Sequence, residues 1–277
     1  MTSLAREYKF TNKDFDFLRK LSNAKTGIIV TDDKFDMFYS RLSRRVRALG
    51  LNTFAEYCRY VDDPQNKAEV IELINAVTTN LTSFFRENHH FEYLKSDVVP
   101  TVMKSRHDDR ELRIWSSGCS TGEEPYSLAM TLKETPMPGW NASILATDID
   151  SNVVATAKRG VYRYDGVKAL PPARVKRWFM KGKGAQEGMV RVRKELQQII
   201  EYGHINLMER WSVPPMDVIF CRNVIIYFDK ETKIKLINKY ADALNVGGYL
   251  FIGHSESLYR LTDRFELIGN TVYKKVR

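Results

Sequence analysis

The chain has 277 residues, 43% hydrophobic and 28% charged, with a formal net charge of +9. That length passes the size at which single cores stop growing, so two domains or one decorated domain are expected. No apolar run approaches the ~18 residues of a membrane span, and the opening MTSLAREYKFTNKDFDFLRK is too charged for a signal peptide.

These features predict a cytoplasmic protein with no direct membrane insertion. Cys58, Cys119 and Cys221 are few, odd in number and scattered, which fits a reducing compartment rather than a disulfide framework. No Cys/His pair has zinc-like spacing: His89 and His90 are adjacent, and His107, His204 and His254 are isolated. No metal is expected. The positive charge points to an acidic partner, nucleic acid or an acidic protein surface.

The first ninety residues read as helical. Thr11-x-x-Asp14 has the form of a capping box, with Phe10 and Phe15 placed to staple it. A second helix spans 36–49 and stops at Gly50. Thr53-x-x-Glu56 caps a third, and Pro64 separates it from a fourth at 66–77. On the second helix, at about 100° per residue, Phe38, Leu42, Val46 and Leu49 form one stripe. Arg41, Arg44 and Arg47 fall on nearly the opposite face, and Arg45 flanks them. Such a pattern is commonly a solvated basic face, but with no interleaved acids it is also a candidate docking face.

Segment 78–88, TTNLTSFFREN, is too polar for a pure core helix and too aromatic for a solvated linker. A connector lying over a ligand pocket has this composition. From residue 113 the pattern becomes β-α-β-α, with strands at 113–116, 143–147, 218–221 and 249–253 and helices at 124–134, 152–158 and 231–244. Alternation of this kind predicts a doubly wound, Rossmann-like parallel sheet covered on both faces. The end, 265–276, reads as a hairpin turning at Gly269-Asn270. Between the second and third strands, 162–206 is too long for a plain crossover. Short strands within it at 180–193 and 198–202 predict an inserted antiparallel flap.

The stretch ELRIWSSGCSTGEEPYSLAM, 111–130, carries the most information. A short apolar strand meets a small-residue turn and then a helix, and glycine there lets a ligand lie against bare main chain. Thirty residues on, SILATDID ends a second strand in Asp148 and Asp150. A Gly-rich first loop plus an acid closing the next strand is how a doubly wound sheet holds an adenosine ribose. The loop lacks the G-x-G-x-x-G spacing of a dinucleotide site. Glu123 and Glu124 stand where a pyrophosphate would approach the helix start and would repel it. A cofactor with cationic groups and no phosphate suits the loop better, which favours S-adenosylmethionine over NAD.

Together, TTNLTSFFRE, WSSGCSTGEEPYSLAM, ATDID, INL, DVIFCRNVIIYF and FIGHSES resemble the CheR family of chemotaxis-receptor glutamate methyltransferases, in one order from about residue 10 to the C-terminus. The resemblance implies an all-α domain at 1–77, a linker at 78–90, and a methyltransferase domain at 91–277 with a small β-subdomain inserted at about 175–205. It implies S-adenosylmethionine as cofactor, S-adenosylhomocysteine as product, and the cytoplasmic helical bundle of chemoreceptors as partner. In the cofactor pocket it places Asn80, Thr82 and Arg86 from the linker, Gly118 of the first loop, Glu124 at the cofactor amino group, and Asp148 at the ribose. Asn206 and Leu207 border the adenine, Asn223 closes the floor, and Arg222 belongs to the same cofactor-binding set. Arg86 and Tyr227 become the catalytic pair flanking the methyl group. Arg41, Arg44, Arg45 and Arg47 become the receptor-binding set. Gly182, Gly184, Gly188, Arg191 and Arg193 become the docking site for a receptor C-terminal pentapeptide, added to the flap as a strand. Gly118-Cys119 stands where family members often carry alanines, a small-for-small change.

Two other readings compete with this one. Amino-methylating DNA enzymes of this fold carry Asn-Pro-Pro-aromatic after the fourth strand, whereas here Asn223-Val224-Ile225-Ile226-Tyr227 lacks the prolines. Nucleic acid is therefore not expected as a partner. A non-catalytic cofactor-binding scaffold is disfavoured by the presence of both Arg86 and Tyr227.

Overall fold

The structure, a computed structural model, describes residues 6–105 and 109–277. Residues 1–5 and His107 lie outside the described residues. The chain forms two compact units. The first runs to Thr79 and includes Tyr227–Asp229; the second comprises Asn80–Ile226 and Lys230–Arg277.

Among its described residues the first unit holds four α-helices, α1 (Asn12–Thr26), α2 (Phe35–Ala48), α3 (Phe54–Asp62) and α4 (Lys67–Val77). The capping box forms as the spacing predicts: Thr11 accepts from the Asp14 N–H, and the Asp14 carboxylate accepts from the Thr11 N–H at 2.9 Å. Phe10 and Phe15 meet edge to face with centroids 6.3 Å apart. Thr53 caps α3 by accepting from the Glu56 N–H at 3.1 Å. Phe38, Leu42 and Val46 are fully buried, so the apolar stripe of α2 is the face turned to the core.

The basic face of α2 is less open than its sequence suggests. Arg45 forks onto the buried Glu69 (Nε to Oε1 2.9 Å, Nη2 to Oε2 2.6 Å) and reaches Glu72 at 3.3 Å. Tyr57 donates to the same Glu69 carboxylate at 2.9 Å. A buried carboxylate needs such a partner to be tolerated, so Arg45 is committed inside the unit. Arg41 donates to the carbonyls of Ala76 and Thr78, and Arg47 pairs with Glu7. Arg44 and Arg47 are the two exposed members of the set.

The second unit opens with α5 (His89–Tyr93), a turn of π-helix (Leu94–Val98) and α6 (Val99–Ser105), none of which the sequence pattern had assigned. Then follow β1 (Glu111–Ser116), α7 (Glu123–Lys133), β2 (Asn141–Asp148), α8 (Ser151–Arg159), β3 (Val161–Arg163), α9 (Pro172–Trp178), β4 (Phe179–Lys181) and β5 (Met189–Val192). The chain continues through α10 (Lys194–Gln197), β6 (Ile200–His204), β7 (Met216–Cys221), α11 (Lys230–Ala243), β8 (Leu244–Ile252), β9 (Phe265–Gly269) and β10 (Val272–Lys275).

Seven strands form one sheet in the order β6-β2-β1-β7-β8-β10-β9. The first five are parallel to their neighbours, and β10 pairs antiparallel with both β8 and β9. The closing hairpin turns one residue later than predicted, at Asn270-Thr271, with Thr271 in the left-handed region.

The flap expected at about 175–205 divides. Ile200–His204 leaves it, pairing parallel with β2 from Ile144 to Asp148 as an edge of the main sheet. In its place β3 joins, giving a separate antiparallel sheet in the order β3-β5-β4. Short strand runs with Gly-rich turns do not reveal which sheet they enter, because pairing is a tertiary choice. Arg191 sits on the central strand β5, whose backbone is paired on both sides. Addition of a peptide strand among the described residues would have to use β3 or β4. Gly182, Gly184 and Gly188 lie in the β4–β5 connection; a Cβ at Gly182 would fall 2.0 Å from the Gln186 carbonyl oxygen.

Candidate functional site

The order of strands reverses between β1 and β7, and in open α/β sheets the crevice beyond the carboxyl ends at that point is where ligands bind. Ser117, just past β1, donates its N–H to the Phe220 carbonyl of β7 at 2.9 Å, which holds the mouth together. The loop from Ser117 to Gly122 then turns into α7. Ser120 and Gly122 both take positive φ, 47° and 101°. At Gly118 an added Cβ would stand 2.6 Å from Val224 Cγ2, so the loop after β7 closes over bare backbone.

Asp148, the last residue of β2, is buried and braces that loop. Its Oδ2 accepts from the Ser120 N–H at 2.8 Å and its Oδ1 from the Asp150 N–H at 3.0 Å. Two N–H donors leave lone pairs over for a diol, since an ionised carboxylate offers about four acceptor sites. Burial pushes the Asp148 carboxyl upward, against the pull of those N–H groups.

Glu124 occupies the first turn of α7 and divides its two oxygens. Oε1 accepts from the Ser116 hydroxyl at 2.7 Å, and Oε2 faces Arg222 Nη1 at 3.0 Å. Arg222, just past β7, has a side chain 2% exposed. It also reaches Glu87 at 3.4 Å, donates to the Arg86 carbonyl, and lies 5.6 Å from the Phe91 ring centroid. Its Nε is buried with no hydrogen-bond partner. The sequence offered Arg222 only as a pocket residue; it is the hub of an ion network.

The linker folds onto the second unit. Phe84 packs edge to face with Tyr162 and Phe179. The Phe85 N–H donates to Ser127 Oγ at 2.9 Å, and the Asn80 carbonyl accepts from the Ser120 hydroxyl at 2.9 Å. Asn80 Nδ2 donates to Asp150 Oδ2 at 2.7 Å, an acid that also caps α8. Phe85 and Glu87 hold positive φ on either side of Arg86, whose Nη1 donates to the Leu81 carbonyl at 2.9 Å. Thr82 is half-buried.

Beyond β6, Asn206 Oδ1 accepts from the Met208 N–H at 3.0 Å, and the Leu207 carbonyl takes Lys239 Nζ at 2.7 Å. Beyond β7, Asn223 has φ 59°. Thus Asn80, Gly118, Glu124, Asp148, Asn206, Leu207, Arg222 and Asn223 all belong to the second unit, most of them just past the carboxyl ends of its parallel strands. Tyr227 groups with the first unit, where its carbonyl accepts from the Ile29 N–H at 2.8 Å.

Sequence reading overlooked Glu87. His254 donates to it through Nδ1 at 2.9 Å and through its backbone N–H at 3.2 Å. Burial would raise this carboxyl, but the His254 bonds and the Arg222 charge outweigh it and bring it down to about 2. Among the described residues, Glu87, His89 and His90 also set three ligand-type atoms within 4.8 Å of one another. Zinc-motif spacing does not reveal that grouping, and Glu87 is already committed to Arg222 and His254. A cavity of about 700 Å³ lies elsewhere, with Glu111, Arg113 and Asn141 among its lining. None of the candidate residues lines it.

The donor set fits S-adenosylmethionine. The buried acid closing β2 suits a ribose diol, a second acid at the start of α7 suits an ammonium, and the acids at that helix start disfavour a phosphate. Burial raises the Glu124 carboxyl, while Arg222 and Ser116 pull it down less strongly. An ammonium is held by the ionised form. Affinity for S-adenosylhomocysteine, which keeps that ammonium, is therefore expected to rise with pH and to fall as Glu124 protonates, above the ordinary value of 4.5. Calorimetric titration across that range checks this, and Glu124→Gln should bind weakly with a flatter pH profile.

Comparison with known proteins identifies the family. Residues 13–78 match the CheR methyltransferase all-alpha domain, and residues 80–274 the CheR methyltransferase SAM binding domain. The chemotaxis protein methyltransferase of Salmonella typhimurium is 43% identical over 278 residues, covering 99% of this chain and 93% of that protein. That of Escherichia coli is 41% identical over 278 residues, covering 99% and 94%. Chemotaxis protein methyltransferase 2 of Pseudomonas aeruginosa is 42% identical over 272 residues, covering 97% and 95%. With both domains matched in order and relatives aligned along almost their whole length, the chain belongs to the CheR family of S-adenosylmethionine-binding methyltransferases.

Proposed function

We propose that this protein transfers a methyl group from S-adenosylmethionine to the side-chain carboxylate of specific glutamates in chemoreceptor cytoplasmic domains, forming glutamyl methyl esters for sensory adaptation. The observation that carries the proposal is the near full-length similarity to proteins named chemotaxis protein methyltransferase, together with the buried carboxylates of Glu124 and Asp148 at the carboxyl ends of the parallel strands.

The bound donor supplies an electrophilic methyl on a sulfonium. A glutamate side chain, with an ordinary pKa of about 4.3, arrives ionised, so no general base is required. The carboxylate oxygen forms the new C–O bond while the C–S bond breaks, and its electron pair stays on sulfur. Opposite charges are neutralised, and an ester and a thioether result. What the chain contributes is orientation, worth ~7–11 kcal/mol in favourable cases. Asp148 and Glu124 fix the two ends of the donor. Arg86 is assigned to the incoming carboxylate as an orienting partner, because a tight bidentate pair would quench the nucleophile. The family resemblance gives Tyr227 its place at the methyl.

Arg44 and Arg47 are the exposed cations of α2 that could meet an acidic receptor flank: Arg45 and Arg41 are engaged within their own unit, and Arg47 pairs with the exposed Glu7, a contact that a receptor acid can replace. Exposed charges steer and orient more than they tighten, and their effect is screened by salt. Incubation with methyl-labelled cofactor and receptor-bearing membranes tests the function. Base-labile label on receptor supports it; label on nucleic acid, or binding without transfer, overturns it. In the same assay, reversing Arg44 and Arg47 to Glu should slow receptor methylation about tenfold at low salt and leave S-adenosylhomocysteine affinity intact. Unchanged methylation at low salt removes α2 as the docking face.

A further inference from the structure

Glu256 is a buried carboxylate, 6% exposed, that neither the pocket assignments nor the ion network uses. It follows β8 in the run Gly253-His254-Ser255-Glu256. Its Oε2 accepts from the N–H groups of Gly253 (2.5 Å) and Asn223 (2.9 Å), and its Oε1 from that of Ile226 (3.1 Å). These donors come from two segments, the loop leaving β7 and the turn leaving β8. Beyond the strand ends the sheet has no ladder to satisfy them, and a carboxylate has enough lone pairs to take all three.

The consequence falls on Asn223. It stands in the left-handed region at φ 59°, a conformation that Asn tolerates better than most side chains but that must be held. Glu256 binds its N–H directly. At Gly253 an added Cβ would come within 2.5 Å of Asn223 Nδ2, 3.0 Å of its backbone nitrogen and 3.0 Å of Glu256 Oε2. The β8 turn is thus pared to bare backbone where the asparagine amide and the glutamate meet.

We propose that Glu256 is a positioning residue for donor binding: by gathering the N–H groups of Gly253, Asn223 and Ile226, it holds the loop after β7 in the conformation that presents Asn223 to the cofactor. It touches neither donor nor substrate. The inference rests on the assignment of Asn223 to the cofactor pocket, and the test separates the two.

S-adenosylhomocysteine affinity is measured by calorimetry, with thermal unfolding alongside, for Glu256→Gln, Glu256→Ala and Asn223→Ala. Gln keeps one acceptor oxygen and should lose about three- to tenfold in affinity; Ala orphans all three donors and should lose about thirtyfold or more. The graded rescue by Gln is the signature of positioning. A carboxylate serving stability alone would lower the unfolding midpoint and leave the affinity of the folded protein within twofold of wild type. That result in Glu256→Gln overturns the inference, whether or not Glu256→Ala folds. If Asn223→Ala loses affinity while Glu256→Gln does not, the inference fails and the pocket assignment stands. If neither loses affinity, the assignment has failed and carries the inference with it.

Discussion

Asp148→Ala is expected to weaken S-adenosylhomocysteine binding about 100-fold, because hydrogen bonds to a charged acceptor contribute about 1.5–3 kcal/mol each and 1.4 kcal/mol is tenfold in affinity. Two effects combine. In the role proposed for Asp148 the ribose loses its acceptor, and the Ser120 and Asp150 N–H groups, at 2.8 and 3.0 Å from the carboxylate, lose theirs. The first loop then keeps the bond from the Cys119 N–H to the Thr147 carbonyl at 2.9 Å but loses the carboxylate that braces Ser120. Asp148→Asn keeps one oxygen and should fall between wild type and Ala. Calorimetry on the folded variants decides the matter. An Asp148→Ala affinity within twofold of wild type removes Asp148 from the ribose role.

The largest effect on stability is expected at Arg222. Its side chain is 2% exposed and faces both Glu124 and Glu87, themselves 11% exposed. Replacing it with Met leaves two nearly buried carboxylates without their cation, and breaking a buried pair in this way costs about 3–5 kcal/mol. The Arg86 carbonyl also loses a donor. At roughly 2–4 °C per kcal/mol for a chain of this size, the unfolding midpoint should drop by roughly 6–20 °C. The orphaned acids, rather than the lost methylenes, cause most of this. Adding Glu87→Gln to Arg222→Met should therefore recover part of the loss. A drop below about 2 °C, or no recovery in the double variant, would show the network to be energetically idle. Acid should act in the same direction. His90 is held down to about 4 by burial and the nearby Arg222, so it resists protonation in the fold. Glu87, at about 2, stays ionised there. In both cases the unfolded chain binds the proton more readily, so stability falls as pH drops below the unfolded values.

Much of the architecture was legible because local rules act on neighbouring residues. Thr11 and Asp14 cap each other across three positions, and any folded context that allows α1 preserves the exchange. The strand, small-residue loop and helix at 111–133 are likewise local, and the acid closing β2 sits where the ribose acceptor of this sheet type belongs. The basic face of α2 was half legible. Periodicity placed Arg41, Arg44 and Arg47 together, but it could not show that Glu7, Glu69 and two carbonyls would meet Arg47, Arg45 and Arg41.

By itself, then, the sequence determined the helix caps, the alternation that makes a parallel sheet, and the acids that suit a cationic donor, since each depends on residues within a turn or two of one another. Only the tertiary structure decided that Ile200–His204 joins β2 and that Val161–Arg163 completes the small sheet. It alone brought Glu87, Glu124 and Arg222 into one network, and Glu256 beneath Asn223. Strand pairing and buried ion pairs are settled by which distant groups can satisfy each other once water is excluded. Residues 98 and 33 positions apart carry no local mark of that choice.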